Sequence, residues 1–164
     1  MALLIRIADH EDENNNYDAV RDKISGFFQP YLSGTHASLA QRLAIVERCL
    51  NSENAGRRSL GLRLLSTALD GPPWTGFGLN EFGARPRDYG YRPNHEQLVE
   101  WRTAFINLAV RLANADDEDI KRGARQVLAN EYRCLWHLES MRDRLVEAAR
   151  AINYHEPWGA VWKA

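Results

Sequence analysis

The sequence predicts an all-α chain built of antiparallel helical hairpins, and three observations carry that expectation. Apolar residues recur at spacings of three and four along most of the 164 residues. Residues able to cap a helix stand just before those runs, at Ser38, Asn94 and Asp116–Asp117. No stretch beyond the N-terminal one alternates as a half-buried strand does. About 100 residues read as helical, against roughly one third in an average globular chain.

The first stretch, Ala2 to Ala8, is apolar and reads as either an edge strand or the end of a helix. Asp9 to Asn16 is acidic and rich in Asn, which favours a loop. A helix is expected from Asp18 to Leu32, with Ala19, Val20, Ile24, Phe27, Phe28 and Tyr31 near the helical period. Gly26 weakens it, and Pro30 and Gly34 bracket its end. Ser38 with Gln41 forms a capping-box signature, and Leu39, Leu43, Val46 and Leu50 then share one face. Asn51 to Asn54 interrupts the pattern. Ala55 to Leu69 reads as the partner helix, burying Leu60, Leu64, Leu65, Ala68 and Leu69. The short link makes the two an antiparallel hairpin. Asp70-Gly71-Pro72-Pro73 stops the second helix, because Gly suits the position after a helix and Pro cannot extend one.

The longest helix is expected over His95 to Asn114, capped by Asn94 with Gln97 at the box position. Leu98, Trp101, Phe105, Leu108 and Leu112 form its stripe, and Trp101 and Phe105 read as core. Asp116 and Asp117 then place acids at the start of another helix, where the dipole favours them. Ile120, Ala124, Val127 and Leu128 line its inner face, and a break is expected between Asn130 and Trp136. Leu138, Met141, Leu145, Ala149 and Ile152 form the last complete stripe. Pro157-Trp158-Gly159-Ala160-Val161-Trp162 resembles the first turn of one more helix, so the chain is expected to be a fragment of a larger protein. Successive hairpins with short links suggest a right-handed solenoid segment of the HEAT or TPR kind; a compact helical bundle is the alternative.

Composition narrows the function classes. The 21 Lys+Arg balance 22 Asp+Glu, for a net charge of -1, so the electrostatic signature of a dedicated nucleic-acid binder is missing. Hydrophobic residues make up 45% and charged residues 26%, which fits one globular domain over residues 1–164 rather than a disordered chain. No apolar run is long enough to span a membrane. The N-terminal stretch lacks the layout of a secretory signal, and two cysteines, Cys49 and Cys134, point away from a disulfide framework. A cytoplasmic location is the expectation.

One segment breaks the helical pattern. Residues 71–93, GPPWTGFGLNEFGARPRDYGYRP, hold five of the 11 glycines and four of the 6 prolines. They also hold Trp74, Phe77, Phe82, Tyr89 and Tyr91, and disordered linkers are poor in aromatics. A long inserted loop, ordered against the helices, is therefore expected. Its candidate contact residues are Arg85, Arg87, Asp88, Tyr89, Tyr91 and Arg92. Guanidinium groups beside aromatic rings can bind phosphate or carboxylate and stack on planar groups. The plainer reading, a structural plug whose arginines pair with helix C-termini and with Glu81 or Asp88, is favoured over anion or nucleic-acid contact.

Catalytic motifs are not found. Gly56-Arg57-Arg58-Ser59-Leu60-Gly61 imitates the start of a phosphate-binding loop, but Leu62 and Arg63 stand where Lys and Ser/Thr are needed. His10, His36, His95, His137 and His155 form no helical metal pair, and Cys49 and Cys134, both read as buried structural thiols, lack ligand spacing. There is no nucleophile elbow. Glu47, Glu100, Glu131 and Glu139 read as solvated helix-face carboxylates, as does the mixed-charge stretch from Lys121 to Arg150. Arg57, Arg58 and Arg63 form a small basic cluster for which a solvated face outweighs phosphate contact.

Several short runs carry a family resemblance. They are Tyr31-Leu32-Ser33-Gly34-Thr35-His36-Ala37-Ser38 with Gln41-Arg42-Leu43, Leu60-Gly61-Leu62, the run from Phe82 to Tyr91, and Pro157-Trp158-Gly159-Ala160-Val161. Together they resemble the helical region C-terminal to the ATPase in large bacterial STAND-type NTPases, many of them implicated in defence against phage. The resemblance covers most of the chain from about Leu3 onward and includes no catalytic motif. It implies an excised helical segment whose NTPase and effector lie outside it. The expectation is thus a non-catalytic interaction, scaffold or sensor segment without a cofactor. Its partner would be a protein or neighbouring domains of the same polypeptide, with nucleic-acid or anion binding through residues 82–92 as the alternative.

Overall fold

A computed structural model describes residues 1–11, 20–31, 33–70 and 92–152. Within them the chain forms seven α-helices and one 3-10 turn, and no strand. They are α1 (Ala2–Ala8), α2 (Val20–Gly26), α3 (Leu39–Leu50), α4 (Ala55–Leu69), α5 (His95–Ala113), α6 (Glu118–Trp136) and α7 (Arg142–Ala151), with the 3-10 turn at Glu139–Met141.

The expected starts are found where the caps stand. Ser38 and Gln41 close a reciprocal capping box on α3, and Asn94 and Gln97 do the same on α5. Asp117, rather than Asp116, caps α6 by accepting from the amides of Asp119 and Ile120 at 3.0 Å. The apolar first stretch is a helix, not a strand. The Glu11 carboxylate caps α2 from outside, accepting from the amides of Val20 and Arg21 at 2.5 and 3.2 Å.

Three expected boundaries are corrected. The second helix ends at Gly26 and not at Leu32. From Phe27 to Gln29 the amides reach back only three residues, to the carbonyls of Ile24, Ser25 and Gly26, and Pro30 follows. The break expected between Asn130 and Trp136 falls after Trp136, because that segment holds neither Gly nor Pro and the fully buried Leu135 prolongs the inner stripe. The last stripe is divided: Met141 belongs to the 3-10 turn, and the helix proper begins at Arg142. Gly34 takes a left-handed backbone (φ 69°) in the turn before α3, a conformation glycine adopts without strain.

The helices pack as two rows. α3 and α4 form one hairpin, and α5 and α6 the next. α4 lies between α2 and α6, giving a row α2–α4–α6. α5 contacts α7 and, through Arg42–Trp101 and Glu47–Arg111, α3, giving a row α3–α5–α7. α4 and α6 run in the same sense, since Leu62 faces Gly123 and, further along both helices, Ser66 faces Glu131. Leu64, Leu65, Ala68, Leu69, Trp101, Phe105 and Ala109, all fully buried, fill the space between the rows.

Candidate interaction surface

The interior contains a charged side chain that the periodicity did not single out. Arg42 occupies a core position on α3, with 1% of its surface exposed. Its Nε donates to the Ala37 carbonyl (3.1 Å), and Nη2 donates to Ser33 Oγ (2.8 Å) and the Thr35 carbonyl (3.3 Å); Nη1 donates to the Phe27 carbonyl. The guanidinium lies 5.0 Å from the Trp101 ring centroid. Trp101 in turn donates Nε1 to the Ala68 carbonyl at 2.8 Å, satisfying one of the orphan acceptors at the C-terminus of α4. The buried face of α3 is therefore Arg42, Val46, Cys49 and Leu50, while Leu39 and Leu43 are only half-buried. Arg42 stands four residues before Val46 and seven before Cys49, so it shares their ridge.

The basic cluster on α4 is taken up internally. Arg57 makes a fork on the Asp9 carboxylate at 2.6–3.0 Å, joining α4 to the end of α1. That hydrogen bond holds the Asp9 carboxyl below its usual range. Arg58 donates to the Ser52 and Glu53 carbonyls at 3.1 and 2.9 Å, and Arg63 pairs with Asp22 of α2. These contacts make the cluster a structural joint and leave a phosphate few donors there.

Among the described residues, a partly exposed aromatic pair lies at the C-terminal end of α6. Tyr132 and Trp136, one turn apart, stack with ring centroids at 5.7 Å and planes at 14°. Trp136 is 39% exposed, and its neighbours Arg133, Cys134 and His137 are exposed too. Arg142, from the start of α7, donates Nε to the Trp136 carbonyl at 3.2 Å and caps the end of α6. At 3.6 residues per turn, Tyr132 and Trp136 lie roughly half a turn around α6 from Gly123, on the side away from α4. At the other end of the chain α1 exposes Met1, Leu3 and Ile7 while it turns Ala8 inward. Among the described residues the exposed large apolar side chains are thus Met1, Leu3, Ile7 and Trp136. Trp, Tyr and Arg are the residue types that carry most binding energy at protein interfaces.

Sequence reasoning missed the Tyr132–Trp136 pair because it placed a break there; two aromatics four residues apart, off the Ile120–Leu128 stripe, were the available signal. Of the loop candidates, Arg85, Arg87, Asp88, Tyr89 and Tyr91 lie outside the described residues. Arg92 is exposed, just before the buried Pro93 that leads into α5. Pro157 to Trp162 also lie outside them. Cys49 is buried as expected, and burial pushes its thiol up; Cys134 is exposed, which corrects the second half of that reading. Glu131 is a further correction: it is half-buried against α4 rather than solvated. Among the described residues no three His, Cys, Asp or Glu side chains gather to hold a metal, and no helix is long and apolar enough to cross a membrane. No family model, curated protein or solved structure is similar to the chain.

Proposed function

We propose that the chain is a non-catalytic interaction, scaffold or sensor segment of a larger multidomain protein, its helical pairs stacked as a HEAT/TPR-like solenoid. The observation that carries this reading is the pair of rows, α2–α4–α6 and α3–α5–α7, with α4 and α6 side by side in the same sense. Alternate helices of a stacked-hairpin solenoid pack in this way, each pair burying its neighbour's open face. The resemblance to the helical region of STAND-type NTPases in bacterial defence adds the setting, in which neighbouring domains supply any turnover. The Tyr132–Trp136 face, turned away from α4, is where the next helix of the stack or a partner's helix would pack.

Three measurements test the reading. An antibody raised against the chain should detect a native band far above 18.8 kDa in the source cells; a band at 18.8 kDa removes the multidomain setting. A photoreactive phenylalanine analogue replacing Arg133 should yield a discrete protein adduct that Trp136→Ala abolishes, and adducts unchanged by Trp136→Ala would overturn the proposed surface. Binding of a single-stranded oligonucleotide that weakens steeply with salt and on replacing Arg85 and Arg87 by Ala would move the reading to the loop instead.

A further inference from the structure

We infer that α1 is a releasable strap: Asp9 and Glu11, at its C-terminal end, clasp it to α4 and α2, and when the clasp opens α1 unwinds and α2 loses the cap on its first turn. Seven residues are too few for a helix to hold its shape alone in water. No side chain caps the start of α1. Its apolar docking is slight: Ala8 is buried, Leu4 and Ile5 are half-buried, and Leu3 and Ile7 face solvent. Acids at the C-terminal end of a helix oppose its dipole. Asp9 and Glu11 therefore weaken α1 taken alone, yet they are the groups that fasten it in place.

The clasp reaches two neighbours at once. Arg57 of α4 forks onto the Asp9 carboxylate, with Nε at 2.9 and 3.0 Å from its two oxygens and Nη2 at 2.6 Å from Oδ2. Arg21 of α2 donates Nε to the Ala8 carbonyl, in the last turn of α1, at 3.0 Å. Glu11 answers from the other side, its oxygens accepting from the Val20 and Arg21 amides that open α2. Both carboxylates move with α1, because the amides of Asp9, His10 and Glu11 reach back to the carbonyls of Ile5, Ile7 and Ala8. Arg57, His10 and Arg21 all favour an ionised Asp9, and the Cys49 thiol of α3 lies close enough to feel the charges of Asp9 and Arg57. One carboxylate, 13% exposed, thus stands where four helices meet. The last turn of α1 couples the fork on α4 to the cap on α2, so the two contacts open together.

Amide hydrogen exchange followed by NMR in the full chain tests the strap. In the wild type α1 and the Val20 and Arg21 amides should open far more often than α5, whose Trp101, Phe105 and Ala109 are fully buried. Asp9→Ala should speed exchange of the α1 amides by about fivefold or more, because the fork is better sheltered than an exposed ion pair. The Val20 and Arg21 amides, which bond Glu11 and not Asp9, should speed with them. Ile106→Val, a mild change to the buried face of α5, should speed the α5 amides and leave α1, Val20 and Arg21 as they were, because α5 stays packed when α1 opens. If α1 speeds along with α5 in Ile106→Val, it opens only when the whole chain unfolds, and the strap is overturned. It is equally overturned if Asp9→Ala leaves α1 unchanged, or speeds α1 without Val20 and Arg21.

Discussion

Arg42 and Glu131 are charged residues on helix faces, and each is turned inward onto a neighbouring element. They differ in how the fold receives them. Arg42 reaches three carbonyls and a hydroxyl and lies over the Trp101 ring, so every side of the guanidinium meets a dipole or a π-face. Glu131 meets one hydroxyl and a like charge. Arg42 is therefore closed off from water, whereas Glu131 is only half-buried and its second oxygen reaches solvent at the edge of the α4–α6 contact. The lesson is that burial alone does not tell what a charge does in a fold. A buried charge must be met by the fold, and so fixes geometry; a half-buried one can leave part of that task to water.

The largest expected effect tests the sealed side. Arg42→Met should cost about 3–5 kcal/mol in urea unfolding, since each buried acceptor left without a donor costs roughly 1–3 kcal/mol. Arg42→Lys should recover little of it, because an ammonium cannot span Phe27, Ser33, Thr35 and Ala37 at once. A loss below about 1 kcal/mol for Arg42→Met would break the comparison, for the cluster would then be incidental to stability.

The same contrast appears in two glycines. A Cβ at Gly61 would stand 2.7 Å from Leu50 Cγ and 3.1 Å from Cys49 Cβ, atoms held close to the backbone of α3. A Cβ at Gly123 would meet Leu62 Cδ1 at 2.3 Å, but that is the far end of a half-buried side chain on α4. Gly61→Ala should therefore destabilise by about 1–3 kcal/mol through overpacking, despite the gain in helix propensity. Gly123→Ala should cost less, because Leu62 can change rotamer. Equal losses for the two variants would mean that the α4–α6 seam is as rigid as the α3–α4 one.

The helices were legible because their signals are local. Ser38 with Gln41, Asn94 with Gln97, and the apolar stripes of α4 and α5 need only neighbouring residues to be read. The inward turn of Arg42 and of Glu131 was not legible, because it depends on what α2, α4 and the turn before α3 bring opposite them. For the same reason the Arg57–Arg58–Arg63 cluster reads as an open basic face until Asp9, the Ser52 and Glu53 carbonyls and Asp22 are seen to occupy it. Periodicity identifies an inward stripe but says nothing of a polar residue at its edge. The end of α6 shows the converse: a weak stripe suggested a break where buried Leu135 continues the helix, with Tyr132 half-buried against the core and Trp136 stacked on it and exposed.

The smallest expected effect on stability separates the surface from the core. Trp101 and Trp136 are the same side chain in opposite settings: Trp101 is fully buried with its indole nitrogen bonded to Ala68, and Trp136 is 39% exposed with Tyr132 as its stacking partner. Trp136→Ala forfeits the stacking and the partial cover of one ring at a site open to water, so it should change stability by less than Trp101→Ala and by no more than about 1.5 kcal/mol, the upper end for an aromatic pair. Far-UV circular dichroism should be unchanged, and the photo-adducts formed from position 133 should disappear. Retained adducts with unchanged stability would make the α6 aromatic pair mere cover for the end of the row. A loss well above 1.5 kcal/mol would instead place Trp136 inside the structural half of the comparison, as a closing element for the row that begins at α2.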